Sequence, residues 1–396
     1  MQKKRILFVD DEPNVLSGLR RMLRCQRNVW EMEFANGGQA ALASMQKSRF
    51  EVVVTDMRMP GIDGAELLGR VSSEYPDTVR LVLSGQSEHE RIFRAVGPAH
   101  QFLSKPCDPE VLIETIESTS RMHDRLRNES LRTLISQIDS LPSLPSIYRQ
   151  LVTELESDDP SLDRVGELIS SDVAMTAKTL QLVNSSFFGL PQHVTDPKHA
   201  AALLGLNILQ PLVLSAKVFT ELHTPHSPVN LETLMSHSLE VAVVAREIAS
   251  SESACKAVCD DAFLAGVLHD VGKLILGSRM PEATAESIKL AEHEGLPRWE
   301  AERQVFGTTH GEVGAYLLGL WGLPMQIVEA VALHHFPHES SESYFSPLTA
   351  VHAANTITRE DLADAAALWD EEYLDRLSLW QNRDQWRELS AEGVQR

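Results

Sequence analysis

The sequence predicts two regions of different fold class: an α/β region with a doubly wound parallel sheet, and an all-α domain after it. Short apolar segments alternate with amphipathic helical patterns over residues 1–121, which is typical of a parallel sheet covered by helices. From about Ser143 onward the periodicity is helical, with helix ends marked by Gly, Pro, Asn or Asp. The 396 residues are enough for two or three domains with separate cores.

Five strands are predicted in the first region. The segments RILFVD, EVVVTD, VRLVLSG and HQFLSKP are rich in Val, Ile, Leu and Phe, and WEMEFA is a weaker candidate. Between them, patterns such as PNVLSGLRRMLRC place Val15, Leu19 and Leu23 on one helical face. Five β/α units form a doubly wound domain, which binds its ligand at the carboxyl ends of its strands.

A helical pattern follows the fifth strand and leads to the second region. Apolar residues recur at steps of three or four, among them Leu112, Ile116, Leu131 and Ile138, until the prolines of DSLPSLPS end the helix. Two interpretations of the linker at 122–142 stay open. It is either the last helix of the first domain with a solvated extension, or a helix that carries a signal or forms a homodimer through a short coiled coil.

The net charge of −20 is unevenly distributed, because residues 1–121 carry −1 and the remainder carries −19. An acidic surface repels phosphate backbones, so we expect no direct DNA binding. No apolar segment reaches the ~20 residues that span a bilayer, so we expect no membrane insertion. Four cysteines provide no disulfide framework and favour a cytoplasmic location.

Five polar residues follow the predicted strands of the first region at the point where each strand ends: Asp10, Asp11, Asp56, Ser84 and Lys105. The carboxyl ends of parallel strands meet at one edge of the sheet, so these side chains are expected to converge. Clustered carboxylates repel one another and would hold Mg²⁺ through oxygen ligands. The ion and a lysine ammonium would neutralise a phosphoryl group during its transfer to a carboxylate.

The segments LFVDDEP, VVVTDMRMPGIDG, LVLSG and FLSKP resemble the receiver domain of bacterial response regulators. The resemblance implies a flavodoxin-like sheet of order 2-1-3-4-5 over residues 1–121, and phosphorylation of Asp56 by a cognate sensor histidine kinase. It also implies that Mg²⁺ is held by Asp10, Asp11, Asp56 and the backbone carbonyl of Arg58.

The same resemblance assigns roles to the later strands. Ser84 and Phe102 would be the switch pair: the hydroxyl moves toward the phosphate and the aromatic ring turns inward. Lys105 would contact the phosphate. The sequence shows no departure from the family pattern that would suggest an inactive receiver.

Histidines of the second region lie in helical, apolar segments. A single histidine in such a place is usually a satisfied core residue, but five with an aspartate on four segments form a set typical of a pocket. Mixed imidazole and carboxylate ligands suit Fe, Mn or Zn, and a pair of ions could activate water for phosphate ester hydrolysis. The set comprises His237, His269, Asp270, His310, His334 and His335.

Six segments of the second region resemble, in order, the HDOD domain, an output domain related to the HD superfamily of metal-dependent phosphohydrolases. The domain is expected at residues 143–396, with the resemblance clearest over 134–360. The segments are SLPSLPSIYRQL, TAKTLQLVNSSFFGLP, HAAALLGLNILQPLVL, LAGVLHDVGKL, THGEVGAYLLGLWGLP and ALHHFPHE.

The resemblance implies a signalling domain that lacks hydrolase activity, because parts of the catalytic pattern are missing. The Gly-Tyr-Pro signature of the cyclic-di-GMP phosphodiesterases is absent after His335, and AVHAANTI offers Asn355 where HD enzymes have a final metal-binding aspartate. We therefore expect a vestigial metal site, in which neighbouring imidazoles hold Asp270 by hydrogen bonds as protonated partners, with a site that keeps one ion as the alternative. Lys273 is a candidate phosphate contact.

Two functions follow from these features. The favoured one is a two-component response regulator whose HDOD domain signals by contact with an unknown downstream protein. The alternative is a phosphorylation-controlled phosphohydrolase acting on a cyclic dinucleotide. The final segment, with Trp380 and Trp386 among charged residues, is expected to form an amphipathic helix on the helical domain, or else a helix that docks a partner.

Overall fold

Five parallel strands form the first domain of the protein, for which we analysed a computed structural model. The structure describes residues 3–84, 98–125, 129–136, 138, 141–143, 145–157, 159–184, 193–214, 220–221, 228–359 and 369–393. The strand order is β2-β1-β3-β4-β5, which confirms the predicted sheet. The strands are β1 (Lys4–Asp10), β2 (Trp30–Asn36), β3 (Val52–Asp56), β4 (Val79–Ser84) and β5 (Gln101–Ser104).

Helices cover this sheet, as expected for a parallel sheet whose strands are buried on both faces. β3 and β4 are buried along their whole length, in keeping with their apolar sequences. A 3-10 helix at Leu23–Asn28 follows the first α-helix. The α-helices are α1 (Pro13–Met22), α2 (Gly38–Lys47), α3 (Gly64–Glu74) and α4 (Pro109–Arg125).

The second domain is helical, as predicted, with one small sheet that pairs β6 (Pro142–Ser143) with β7 (Thr220–Glu221). Among the described residues, no helix is both long and apolar enough to cross a membrane. Its first helices are α5 (Glu129–Ser136), α6 (Pro145–Leu155), α7 (Leu162–Ser170), α8 (Val173–Val183), α9 (Pro197–Leu204) and α10 (Leu206–Leu214).

The remaining helices surround a core formed by α11, α12 and α18, which contact one another. Short 3-10 helices lie at Pro337–Glu339 and Trp380–Asn382. The α-helices are α11 (Leu231–Ser251), α12 (Lys256–Leu268), α13 (Val271–Arg279), α14 (Pro281–Glu294), α15 (Arg298–Phe306), α16 (His310–Leu320), α17 (Met325–Leu333), α18 (Pro347–Ile357), α19 (Glu371–Arg376) and α20 (Arg383–Gly393).

The helices that join the two domains are packed against the chain itself. Leu131, Ile135 and Ile138 are buried, and both α4 and α5 contact α16. A solvated linker is therefore not what the structure shows over 129–136. The apolar face that could have formed a coiled coil is covered within the same chain.

The segment at 369–393 packs against α18 and the core of the helical domain. Trp386 is fully buried, and its indole N–H donates to Glu252 Oε1 at 2.8 Å. The Tyr373 hydroxyl shares a hydrogen bond of 2.7 Å with Thr349 of α18. The segment thus packs on the helical domain through Trp386.

Candidate functional site

The carboxyl edge of the sheet holds a cluster of two buried acids and one lysine. Asp10 and Asp56 are 2% and 6% exposed and end β1 and β3. The Lys105 ammonium lies 2.8 Å from Asp10 Oδ2 and also donates to Asp56 Oδ1. The backbone N–H of Arg58 donates to Asp56 Oδ2 at 2.6 Å. Asp11 follows Asp10 directly at the same edge.

The electrostatics of this edge favour a cation. Burial raises the pKa of Asp56, although Lys105 opposes the increase. Burial lowers the pKa of Lys105, but its bonds to Asp10 and Asp56 outweigh burial and leave it raised. Asp10 and Asp56 share the Lys105 ammonium, and Asp11 adds a third carboxyl group next to Asp10 in the chain, so acidic groups outnumber the lysine. An oxygen-rich site of this kind fits Mg²⁺.

Ser84 and Phe102 lie on the two strands beside this cluster. Ser84 ends β4 opposite Ser104 of β5 and is 1% exposed. Phe102 pairs in register with Val82, and its ring is buried. The structure therefore brings Asp10, Asp56, Ser84 and Lys105 to one edge, with Phe102 two residues before the end of β5.

Five histidines of the second domain converge in one pocket, four of them from the ends of helices. His237 lies within α11, whereas His269 and Asp270 lie between α12 and α13. His310 begins α16, and His334 and His335 follow α17. Gly272 allows the convergence, because a Cβ at this position would collide with the His310 carbonyl. The start of α13 can therefore approach the start of α16 closely.

Three imidazoles form the first of two groups in this pocket, the trihistidine group. The Nε2 atom of His310 lies 3.3 Å from His334 Nε2 and 3.2 Å from His335 Nε2. Asp270 Oδ1 is 3.1 Å from His310 Nε2 and 4.0 Å from His334 Nε2. The indole of Trp299 stacks on the His335 ring, with 4.1 Å between centroids.

Acceptors outside the trihistidine group fix the orientation of its rings. His334 Nδ1 lies 2.8 Å from the Val331 carbonyl, which can only accept, so this nitrogen carries the proton. His310 Nδ1 donates to Glu302 Oε2 at 2.6 Å. In neutral His334, Nε2 therefore presents a lone pair toward the centre. Histidine ligands of metal ions are oriented by such outer hydrogen bonds.

The second group consists of His237, His269 and Asp270. His269 Nδ1 donates to the Gly266 carbonyl at 2.7 Å, and its Nε2 lies 3.3 Å from Asp270 Oδ2. His237 Nε2 lies 4.0 Å from the same oxygen and 3.1 Å from Asn355 Oδ1. Within each group, the ligand atoms lie within 4.8 Å of one another.

The donor atoms that line the pocket fit a transition-metal ion. His269 Nε2 and Asp270 Oδ1 are buried and make no hydrogen bond. A buried polar atom without a partner is costly, and an ion between the imidazoles would satisfy both atoms. Nitrogen donors with one carboxylate suit Fe, Mn or Zn.

Two cationic side chains pair with Asp270 in addition to the expected imidazoles of His269 and His310. Lys273 Nζ donates to Asp270 Oδ2 at 2.6 Å, and Arg359 Nη2 lies 3.5 Å from the same oxygen. The candidate phosphate contact Lys273 is thus engaged within the pocket. Burial opposes ionisation of Asp270, but His269, Lys273 and hydrogen bonds hold its pKa well below the usual value.

The expectation of several protonated imidazoles is wrong for three rings. Burial lowers the pKa of His237 to about 3 and the pKa of His334 and His335 well below the usual value, so these rings are neutral. His310 differs, because Glu302 outweighs burial and raises its pKa.

Sequence reasoning missed Glu302, Arg359 and Trp299. Glu302 and His310 lie on two different helices. The chain turns at Gly307 between them, and this turn places Glu302 beside the His310 ring. Arg359 follows α18 and gave no signal beyond being four residues after Asn355. His352 Nδ1 donates to the His334 carbonyl at 2.9 Å, so this histidine supports the backbone.

A buried polar contact joins the first domain to the linker. The Arg80 guanidinium, at the start of β4, is fully buried and donates to the Ser136 carbonyl of α5 at 2.5 Å. The same guanidinium lies 2.9 Å from His100 Nε2. Burial holds the pKa of His100 well below its usual value, so the ring is neutral beside the cation.

Direct contacts between the domains are made by the start of β5. Gln101 Nε2 donates to the Leu320 carbonyl at the end of α16, at 3.1 Å. Gln181 Nε2 of α8 donates to the His100 carbonyl at 2.9 Å. The helical domain thus rests on β5, and α16 connects this contact to His310 in the histidine pocket.

Comparison with known families agrees with the fold, which is that of a protein with a receiver domain followed by a helical output domain. Residues 6–117 match the response regulator receiver domain, and residues 141–337 match the HDOD domain. The chain belongs to the response regulators in which a receiver domain is followed by an HDOD domain.

The chain spans about half or less of the two curated relatives that we compared. A protein of Treponema pallidum is 25% identical over 70% of this chain and 52% of its own length. The hydrogenase transcriptional regulatory protein HoxA of Cupriavidus necator is 36% identical over 28% of this chain and 23% of its own. The solved MmoQ response regulator of Methylococcus capsulatus is 24% identical, with a TM-score of 0.45, over 60% of this chain and 98% of its own.

Proposed function

We propose that this response regulator is phosphorylated on Asp56 by a histidine kinase and signals by protein contact through its HDOD domain. One observation carries the proposal: the HDOD domain rests on β5, the strand that contains Phe102 and leads to Lys105. A change at the phosphorylation edge therefore acts on the strand that the output domain contacts. The cell compartment that suits such a kinase partner is the cytoplasm.

The contacts suggest a route for the signal. A phosphoryl group on Asp56 would draw Lys105 and Ser84 toward it, because both can donate hydrogen bonds to phosphate oxygens. Movement of β5 would then change the contact of Gln101 with α16. Phosphorylation would thus shift the balance between two arrangements of the domains, and one of them would present the surface for the downstream protein.

Mg²⁺ belongs to this proposal as a cofactor of the receiver. Asp10, Asp11, Asp56 and the Arg58 backbone carbonyl would hold it. Its charge would offset the repulsion between the carboxylates and an incoming phosphoryl group. Leu131, Ile135 and Ile138 are covered within the chain, so a homodimer would form through a surface other than theirs.

Hydrogen exchange measured by mass spectrometry tests the route. The full chain is treated with acetyl phosphate and Mg²⁺, with Asp56→Asn as the matched control. We expect faster exchange in α16 and α8 of the phosphorylated wild type, because their contacts with β5 change, and no change in the variant. Phosphorylated protein with unchanged exchange in both helices would contradict the proposed route.

A second candidate function is a metal-dependent phosphohydrolase. The observation that favours it is that the Nδ1 atoms of His310 and His334 bond to acceptors outside the trihistidine group. Fe, Mn or Zn held by the histidines would supply activated water for attack on a phosphate ester. Asp270 would orient the imidazoles, and Trp299 would shield one wall from water. The test is hydrolysis of cyclic dinucleotides by the full chain loaded with each metal, beside Asp270→Ala. No turnover above that variant would exclude hydrolysis of these substrates.

A further inference from the structure

The two groups of the histidine pocket differ in what surrounds the shared carboxylate. Asp270 bridges them, because Oδ1 faces the trihistidine group and Oδ2 faces His237 and His269. The ion pairs of Oδ1 in the described part of the chain are with imidazoles. Both cationic side chains that pair with Asp270, Lys273 and Arg359, do so through Oδ2.

Arg359 lies where an ion of the second group would have to bind. Its Nη2 atom is 3.3 Å from His237 Nε2 and 3.5 Å from Asp270 Oδ2, two of the three ligand atoms of that group. Either contact takes His237 Nε2 from a metal: the guanidinium, which only donates, uses its lone pair, and in the other tautomer Nε2 donates its proton to Asn355 Oδ1. The guanidinium also carries a permanent positive charge, which repels a cation at this distance.

The charges of the pocket support a single ion. Asp270 already pairs with Lys273 and Arg359, and Glu302 pairs with His310. One divalent ion in the trihistidine group adds two charges, next to Asp270 Oδ1, which has no hydrogen bond. A second ion would add two more beside the guanidinium and the ammonium, without a further carboxylate, since Asn355 is neutral.

We propose that Arg359 takes the place of one metal ion, so that the pocket binds one transition-metal ion through His310, His334 and His335. The second group, His237 and His269 with Asp270 Oδ2, is closed by the guanidinium. This inference concerns metal binding alone and holds whether or not the pocket hydrolyses a substrate.

The test is the zinc content of the full chain, prepared without a polyhistidine tag. The protein is stripped with a chelator, loaded with Zn²⁺ in excess Mg²⁺ that fills the receiver, dialysed, and analysed by mass spectrometry. We expect one Zn²⁺ per chain in the wild type and two in Arg359→Gln. Arg359→Lys keeps the charge and is expected to stay at one.

Two further variants show which group holds the ion. His334→Ala is expected to lose the ion, whereas His237→Ala is expected to keep it, and circular dichroism checks that each variant is folded. The proposal is overturned by two ions or none in the wild type, by loss of the ion in folded His237→Ala, or by a single ion in folded Arg359→Gln.

Discussion

The receiver edge and the histidine pocket both place a lysine on a buried aspartate, yet they balance charge in opposite ways. At the receiver edge, Asp10 and Asp56 share the Lys105 ammonium, and Asp11 adds a third carboxyl group beside them. In the histidine pocket, Lys273 and Arg359 both pair with Asp270 alone, and imidazoles supply the remaining donors. The first pocket attracts a hard divalent ion by charge, and the second can hold a softer one only by nitrogen coordination.

The largest expected difference between the pockets is in phosphoryl uptake. Asp56→Asn should abolish incorporation from acetyl phosphate, because the amide cannot accept the phosphoryl group, whereas Asp270→Asn should incorporate normally. Intact-mass spectrometry of the two variants beside the wild type measures this. Uptake by Asp56→Asn at the wild-type level would show that another residue is the acceptor.

Each pocket also depends on one glycine at the start of a helix. A Cβ on Gly64 would collide with the Asp56 carbonyl, and one on Gly272 with the His310 carbonyl. We expect Gly64→Ala and Gly272→Ala each to lower the free energy of unfolding by about 3 kcal/mol through overpacking. Urea unfolding of the full chain measures the change.

Gly69→Ala is the matched control for these two glycine variants. Gly69 lies inside α3, and a Cβ there would meet no atom within 4 Å. Alanine should therefore stabilise the helix by up to about 1 kcal/mol. A Gly272→Ala protein as stable as the wild type would mean that the close approach of α13 to α16 is not required.

Acid should weaken the helical domain more than the receiver, because three pocket histidines have lowered pKa values where the receiver has His100. In the folded state the pKa of His237 is about 3, and the pKa values of His334 and His335 are lowered too. Below about pH 6.5 the unfolded state therefore binds protons that the folded state does not bind. Stability of the metal-free domain should therefore fall as pH drops through 6.5, by up to about 1.4 kcal/mol per pH unit for each histidine.

Asp56 has the opposite sign, which sharpens the comparison. Its folded pKa is raised, so the folded state holds its proton to higher pH than the unfolded state does. Acidification through that range favours the folded receiver at this residue. Thermal melts by circular dichroism between neutral pH and about pH 5 should show the helical domain losing more stability than the receiver. A pH-independent melting temperature over this range would contradict the lowered histidine pKa values.

The smallest expected effect concerns the contact between the domains. Gln101→Ala removes the hydrogen bond to the Leu320 carbonyl and should cost about 1 kcal/mol. The informative measurement is hydrogen exchange of α16, which should rise without phosphorylation. Gln150→Ala, a change on the surface of α6, serves as the control and should leave α16 unchanged.

Much of the fold and of the receiver edge could be predicted from sequence, because parallel strands bring their ends to one edge. The positions of the strands in the sequence are therefore enough to group Asp10, Asp56, Ser84 and Lys105. The histidine pocket could be predicted as a set of ligands, since its residues are rare in apolar helices. Arg359 and Glu302 could not, because charged residues at helix ends are common and only the packing of α15, α16 and α18 shows where they point.

The match to the HDOD domain ends at residue 337, so the trihistidine group lies inside the matched module while Asn355 and Arg359 lie beyond it. The helix that precedes Arg359 is held by an appended segment, through Tyr373 on Thr349 and through Trp386 in the core. Arg359 thus lies outside the matched module, although α18 belongs to the core and its His352 supports the His334 backbone. Replacing Arg359 alone would change the number of ions that the pocket accepts while leaving every histidine in its position.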